Sequence, residues 1–380
     1  MVKIAKSYFG ALIAKYVICT FYISFSFIIS VIAQNVSSVD SLATKFTWQL
    51  QGGIETYWAY DTNNPFTKEA PAWVYAYTRH NQVGINIAFG GFRVFAPRFR
   101  SQLAFALGDY MQKNYAAEPI IFRNLLEAQV AVQLLAKKQV WLSAGVMPSY
   151  IGFEAAIGTQ NWTLTRSIMA NNSPYFVTGL RLDYNSANQK WLIALLVLNG
   201  WQNIVDNNNN KAIGTQLTYT PSSRLTINSS GFWGEAYNRV DSLLTYRFFH
   251  NFYCSWQPHP KWALAKVIDI SLQQIAPQSH IYQSWWTAAF FIRYFINSTS
   301  IVIARLEYFY DSQALMIKVN NFTSFRTGSF SIGYDYTPLP NALLRIEGKY
   351  YFSREPIFEV GSSRFSSNSL VWTASMGYQF

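Results

Sequence analysis

Leu370-Val371-Trp372-Thr373-Ala374-Ser375-Met376-Gly377-Tyr378-Gln379-Phe380 alternates without a break. Leu370, Trp372, Ala374, Met376, Tyr378 and Phe380 fall on one side of an extended strand, and Val371, Thr373, Ser375, Gly377 and Gln379 on the other. Successive strand side chains point to opposite faces, so one face is apolar and the other small or polar. Two readings fit: an edge strand of a soluble sheet, or a wall strand with lipid on one side and water on the other. The rest of the chain decides between them.

Composition favours the wall. Charged residues are 13% of the 380, against the ~25% usual for soluble proteins, and aromatics are 18%, yet mean hydropathy is only +0.04. Beyond the N-terminus no stretch reaches the roughly 18 unbroken apolar residues of a membrane helix. At the N-terminus, Lys3, Lys6 and Lys15 precede an apolar run from Tyr16 to Ala33, with Val31 and Ala33 at the −3 and −1 positions before Gln34. This pattern predicts a cleaved signal peptide over 1–33, a short periplasmic segment over 34–45 and one barrel over 46–380. Cleavage lowers the net charge from +11 to +8, because three Lys leave with no acid. Cys254 then stands alone, which excludes an internal disulfide. The positive charge leans toward anionic solutes; without a Lys/Arg run it does not point to nucleic acid.

Period-2 alternation predicts sixteen strands, near 48–60, 82–89, 101–110, 125–135, 140–147, 174–184, 191–199, 212–220, 225–234, 244–257, 262–273, 285–296, 300–310, 327–337, 342–352 and 368–380. The connections alternate short and long throughout. Tyr219-Thr220-Pro221, Trp256-Gln257-Pro258 and Tyr336-Thr337-Pro338 repeat one pattern, an aromatic at the strand end followed by a turn-setting proline. Short periplasmic turns and longer extracellular loops are the asymmetry of outer-membrane barrels. The fold class is therefore all-β: a transmembrane antiparallel β-barrel of about sixteen strands, within the range 14–18. It must close, because unpaired backbone groups in hydrocarbon cost several kcal/mol each.

Charges segregate as a watery lumen requires. Arg181 and Asp183 oppose Leu180, Leu182 and Tyr184; Arg305 and Glu307 oppose Ala304, Leu306 and Tyr308; Arg345, Glu347 and Lys349 oppose Leu344, Ile346 and Tyr350. Lys266 breaks the pattern: with Asp269 inside, it falls on the lipid face unless a bulge shifts the register or it sits at an interface.

Several motifs are shared with one family. They include Tyr60-Asp61 with Asn64-Pro65, Arg79-His80-Asn81, Asn114-Tyr115-Ala116-Ala117-Glu118-Pro119, Pro148-Ser149-Tyr150-Ile151-Gly152-Phe153-Glu154, Asn161-Trp162-Thr163-Leu164-Thr165-Arg166-Ser167 and Leu198-Asn199-Gly200-Trp201-Gln202. On these the chain resembles the outer-membrane beta-barrel porins of the OmpL-like, type-2 group, common in Bacteroidota. The resemblance is densest over 110–202 and implies an outer-membrane pore, with no catalytic motif and no defined solute. An outer-membrane pore has as partners the surrounding lipid and lipopolysaccharide, the barrel-assembly machinery and small polar solutes. In such barrels the final strand is the assembly signal, here Trp372, Met376, Tyr378 and Phe380. Analogy with sixteen-stranded general porins adds a homotrimer.

The candidate pore site is the third outer loop, Met147 to Pro174. It is long and aromatic (Tyr150, Phe153, Trp162), unlike a purely solvated loop, and carries Glu154 and Arg166. Folded inward, it sets Glu154 against the lumen arginines Arg181, Arg305 and Arg345, with Asp183, Glu307 and Glu347 on the same walls. Opposed charges across a pore favour charged or polar solutes; the bland alternatives are a lid over the barrel mouth, or salt bridges that only pair buried charges. The functional expectation is a porin for passive diffusion of small hydrophilic solutes. The alternatives are an uptake barrel for one solute or an apolar ligand and, less favoured, an outer-membrane lipase. A lipase needs a Ser–His pair, and no serine in the sequence stands convincingly beside His80, His250, His259 or His280. No metal-ligand spacing, phosphate loop or dinucleotide fingerprint is present, so no cofactor is expected.

Overall fold

A computed structural model describes residues 46–208, 210–237, 243–362 and 364–380. The expected signal peptide and the 34–45 segment lie outside the described residues. No described helix is long and apolar enough to cross a membrane.

Sixteen antiparallel strands close into one barrel, each paired with its chain neighbour. They are β1 (Thr47–Asp61), β2 (Val83–Ala96), β3 (Phe99–Leu107), β4 (Leu125–Gln133), β5 (Gln139–Pro148), β6 (Phe176–Asn185), β7 (Trp191–Leu198), β8 (Ala212–Ser222), β9 (Leu225–Tyr237), β10 (Leu244–His259), β11 (Trp262–Gln274), β12 (Tyr282–Phe295), β13 (Ser300–Asp311), β14 (Phe325–Leu339), β15 (Ala342–Ser353) and β18 (Asn368–Gln379). The short β16 (Phe358–Val360) and β17 (Arg364–Ser366) make a hairpin inside the eighth outer loop. The barrel strands answer one to one to the sixteen read from the sequence.

The closing strand behaves as its alternation dictates. Met376 and Phe380 are 60% and 61% exposed toward the lipid side, whereas Thr373 and Ser375 are 2% and 9% exposed toward the lumen. β18 pairs with β1 from Gly53↔Gln379 to Asp61↔Val371 and with β15 on its other edge. The three proline turns share one solution: the ladder slips between Tyr219 and Ser222, between Trp256 and His259, and between Tyr336 and Leu339. Proline has no N–H to donate, so each strand ends in an irregularity just past its aromatic.

One strand departs from simple alternation. The sequence puts Val83, Ile85, Ile87 and Phe89 on one face of β2. A bulge opposite Glu55 and Thr56 leaves Asn86 unpaired and turns the strand over. Val83 and Ile85 stay outside, while Ile87 is buried and Phe89 lines a lumen cavity. The bulge has a local cause. Asn86 donates to Glu55 Oε2 (2.8 Å) and accepts from the Tyr77 backbone N–H (3.2 Å), and the Tyr77 hydroxyl donates to Glu55 Oε1 (2.9 Å). The first outer loop thus buries a carboxylate that plain pairing would leave without partners.

Lys266 has no bulge to excuse it. Its register runs unbroken between Cys254 and Phe290, and its side chain is exposed on the outer face, four residues from the belt aromatic Trp262. A lipid-facing lysine near mid-bilayer costs about 2–4 kcal/mol. Lys266→Leu is therefore expected to stabilise the refolded barrel by about 2 kcal/mol in denaturant titrations in bilayers. Destabilisation would instead show that a neighbouring molecule holds the ammonium.

The interior is not uniform. On the extracellular side, Trp73 of the first loop stacks edge-on against Phe325, Tyr351 and Phe358. Leu315, Met316 and Ile317 of the seventh loop join the same buried apolar cluster. Their backbone N–H groups at 315 and 316 donate to the Asp311 carboxylate (3.0 and 2.7 Å), which caps that turn. On the periplasmic side the lumen keeps cavities of about 400 and 270 Å³.

Candidate functional site

The third outer loop leaves β5 at Pro148 and returns to β6 at Phe176, its base closed by Ser149 N–H donating to Tyr175 O (3.0 Å). It crosses the lumen. The Tyr150 hydroxyl donates to Gly231 O on β9 (2.9 Å), and Gly152 N–H donates to Asn251 Oδ1 on β10 (3.3 Å). Phe153 packs on Trp162, Tyr253 and Phe291. Thr159 Oγ1 lies 2.8 Å from Gln379 Oε1 on β18, beside Gly377. The inward fold expected from the loop's aromatic content is therefore present. The aromatic side chains anchor the loop by burial, and polar wall residues take up its backbone groups.

The electrostatic centre is Arg305. Its guanidinium lies 3.1 Å from Glu347, 3.4 Å from Glu307 and 3.8 Å from Glu154. It also donates to Thr165 O (2.6 Å) and Thr163 Oγ1 (2.9 Å) of the loop. Glu347 accepts from Thr165 N–H (2.8 Å), and Glu307 pairs with Lys349 (2.8 Å), whose ammonium also donates to Arg166 O (3.0 Å). The charged side chains of this cluster are almost fully buried. Burial pushes the Glu154 carboxyl above its ordinary range, and Arg305 and the Ser167 hydroxyl pull it only part of the way back.

Of the eight expected lumen residues, this cluster unites Glu154, Arg305, Glu307 and Glu347. The other four go elsewhere. Arg345 is held bidentately by Asp335 (2.8 and 2.9 Å) and donates to Trp162 O (2.7 Å) and Gly158 O (3.1 Å). It grips the loop's backbone rather than facing Glu154. Arg181 pairs with Asp183 (3.2 Å) and donates to Gln216 (3.0 Å) on β8, so it too does not face Glu154. Arg166 is buried inside the loop, donating to the Ala155 and Ala156 carbonyls, with Tyr110 (4.8 Å) and Tyr175 (5.1 Å) around its guanidinium. The arrangement of Glu154 against three arginines reduces to Glu154 against Arg305 alone. Lys349 and Asp335, both essential to the network, were not in the expected set. Lys349 carried the one available signal, since it shares a lumen face with Arg345 and Glu347.

A second pairing was not visible in the sequence. Ser229 Oγ lies 3.3 Å from His250 Nε2 on the outer face of β9 and β10. The two residues stand 21 positions apart and are brought together by strand register. Asn251 points into the lumen and binds Asp269 (2.6 Å), so it cannot orient the imidazole.

The sequence over residues 47–380 matches the model of the family described as "Putative beta-barrel porin-2, OmpL-like". No curated protein sequence matches the chain. Among solved structures, the barrel is similar to the trimer form of OmpT, an outer membrane protein of Vibrio cholerae (TM-score 0.57, 11% identity, 88% of this chain and 99% of that one). It is similar to an anion-selective porin from Comamonas acidovorans (0.57, 10%, 88% and 100%). A third similar structure is the outer membrane channel DcaP of Acinetobacter baumannii (0.58, 9%, 88% and 97%). With a family match over the whole barrel and a closed sixteen-strand wall enclosing an inward-folded loop, the chain belongs to the OmpL-like beta-barrel porin-2 family of outer-membrane channels.

Proposed function

We propose that the barrel conducts small hydrophilic solutes by passive diffusion, and that the third outer loop sets the width and charge of the path. The observation that carries this reading is the attachment of that loop to the far wall by Arg305, Glu347, Lys349 and Arg345. In this reading Glu154, Arg305, Glu307 and Glu347 form the constriction. Arg345 and Arg166 hold the loop in shape, and Arg181 with Asp183 lines the periplasmic vestibule. Export through a signal peptide over 1–33, and recognition of Trp372, Met376, Tyr378 and Phe380 by the assembly machinery, belong to the same proposal. So does a homotrimer in lipid and lipopolysaccharide, for which the trimeric OmpT neighbour is the precedent. Planar-bilayer recording under a salt gradient tests the function: ohmic single-channel steps are expected, and absence of any conductance overturns it. Glu154→Ala with Arg345→Ala is expected to change conductance or ion preference; unchanged values in the double variant would remove Glu154 from the constriction and Arg345 from holding the loop that forms it.

A second reading, uptake of one solute, is favoured by the apolar loop cluster on the extracellular side. Liposome swelling separates the two: permeation graded by sugar size supports diffusion, and one favoured solute supports uptake. Transport needs no catalysis in either case. The Ser229–His250 pair lacks an orienting acid, and its strand N–H groups are committed to the ladder, leaving no oxyanion hole. No hydrolysis of a chromogenic ester is expected.

A further inference from the structure

The periplasmic vestibule contains a second charged site, apart from the Arg305 network. Arg93 near the end of β2 stands opposite Gln102, and Arg100 near the start of β3 stands opposite Phe95. They are therefore diagonal neighbours on one face of the β2–β3 ladder, about 7–8 Å apart at the backbone. Both line the cavity of about 270 Å³, with Gln102, Trp141, Ser143 and Asp183.

The donors of this cavity are unspent. Among the described residues neither guanidinium has a hydrogen bond or a carboxylate oxygen within 4 Å. Arg100 instead lies 3.7 Å over the Trp141 ring, which fixes its plane while leaving its N–H groups free. The side-chain amide nitrogen of Gln102 is buried without an acceptor. A buried unpaired donor costs about 1–3 kcal/mol, so the site is incomplete as it stands. Two carboxylates are near. Asp183 is already taken by Arg181 at 3.2 Å. Glu127 shares the adjoining cavity with Arg93 and feels its charge, but its oxygens stay beyond 4 Å of the guanidinium. Nearer the third outer loop, Arg305 and Arg345 each meet carboxylates.

We propose that this cleft is a saturable binding site for a small oxyanion, a carboxylate or phosphate, on the periplasmic side of the third outer loop. Two guanidinium forks and the Gln102 amide supply donors that match carboxylate and phosphate oxygens, while Trp141 and Phe95 supply apolar walls for an organic remainder. The inference rests on the porin reading and names the solute class that it would hold on passage.

The test is single-channel chloride current through the full chain, titrated with inorganic phosphate and separately with benzoate. Both are expected to reduce the current saturably, with benzoate half-blocking at the lower concentration. Arg93→Gln and Arg100→Gln should each raise the half-blocking concentration about tenfold. Arg100→Lys, which keeps the charge but loses the fork, should lie between, and Arg224→Gln in an exposed turn should change nothing. Linear, non-saturating reduction, or block unchanged in both glutamine variants, overturns the site while leaving the channel intact. If the parent passes no chloride, the porin reading fails and calorimetry on the solubilised chain decides the site. Benzoate heat lost in Arg93→Gln supports it, and no heat in the parent overturns it.

Discussion

Replacing Arg305 with alanine is expected to release the third outer loop from the far wall and raise single-channel conductance about twofold or more. The physical cause is charge left without a partner. Arg305 lies within 4 Å of Glu154, Glu307 and Glu347. Its removal leaves Glu154 and Glu347 without their cation and Glu307 with Lys349 alone. Breaking a buried ion cluster by deleting one member costs about 3–5 kcal/mol. The barrel ladder is independent of the loop, so the cost falls on loop docking and the wall stays closed. Arg305→Lys retains the charge but can no longer reach Thr165 O and Glu347 together, so conductance should lie between alanine and parent. An alanine variant with parental conductance and parental protease resistance of the loop would mean that these ion pairs do not hold it.

Deleting Phe380 is expected to lower the yield of folded barrel about tenfold when assembly is read as heat-resistant migration on gels. Phe380 exchanges two backbone hydrogen bonds with Gly52, N–H to O at 2.9 Å and O from N–H at 3.1 Å. Its ring covers Gly52, where a Cβ would meet Phe380 Cζ at 2.7 Å. These contacts extend the β1–β18 seam past Gly53↔Gln379. Unpaired backbone groups in hydrocarbon cost several kcal/mol each, so the loss falls on the step that closes the ring. Phe380→Tyr keeps both bonds and most of the ring and should assemble normally. Equal yields for the deletion and the parent would remove Phe380 from the closure step.

The sequence carried the wall far better than the lumen. Alternation reports which face a side chain takes, and for β18, β13 and β15 that was enough to sort lipid from lumen. Alternation does not report height along the barrel, which comes from the register between strands. Arg181 and Arg305 are both lumenal, yet one pairs with Asp183 two residues away while the other reaches three carboxylates on three chain segments. The lumen parity of Arg345 offers it to Glu154, but Asp335 lies directly across the β14–β15 ladder and takes it. The β2 bulge escaped the alternation because its cause is Tyr77, in a loop, satisfying Glu55 and Asn86 together. The Ser229–His250 contact likewise exists only through register. Lys266 did follow the parity rule, and it faces outward at an energetic cost that parity alone could flag but not explain.

The third outer loop lies inside the barrel and reaches the closing strand. A cysteine pair probes that contact. A Cβ on Gly377 would lie 2.5 Å from Thr159 Cγ2. Disulfides need Cβ atoms about 3.5–4.5 Å apart, a separation this contact allows. In a Cys254→Ser background, Thr159→Cys with Gly377→Cys is expected to form that disulfide nearly completely on folding, as read by resistance to thiol alkylation before reduction. Both thiols alkylating freely in the folded barrel would mean that the loop stands away from Leu370–Phe380.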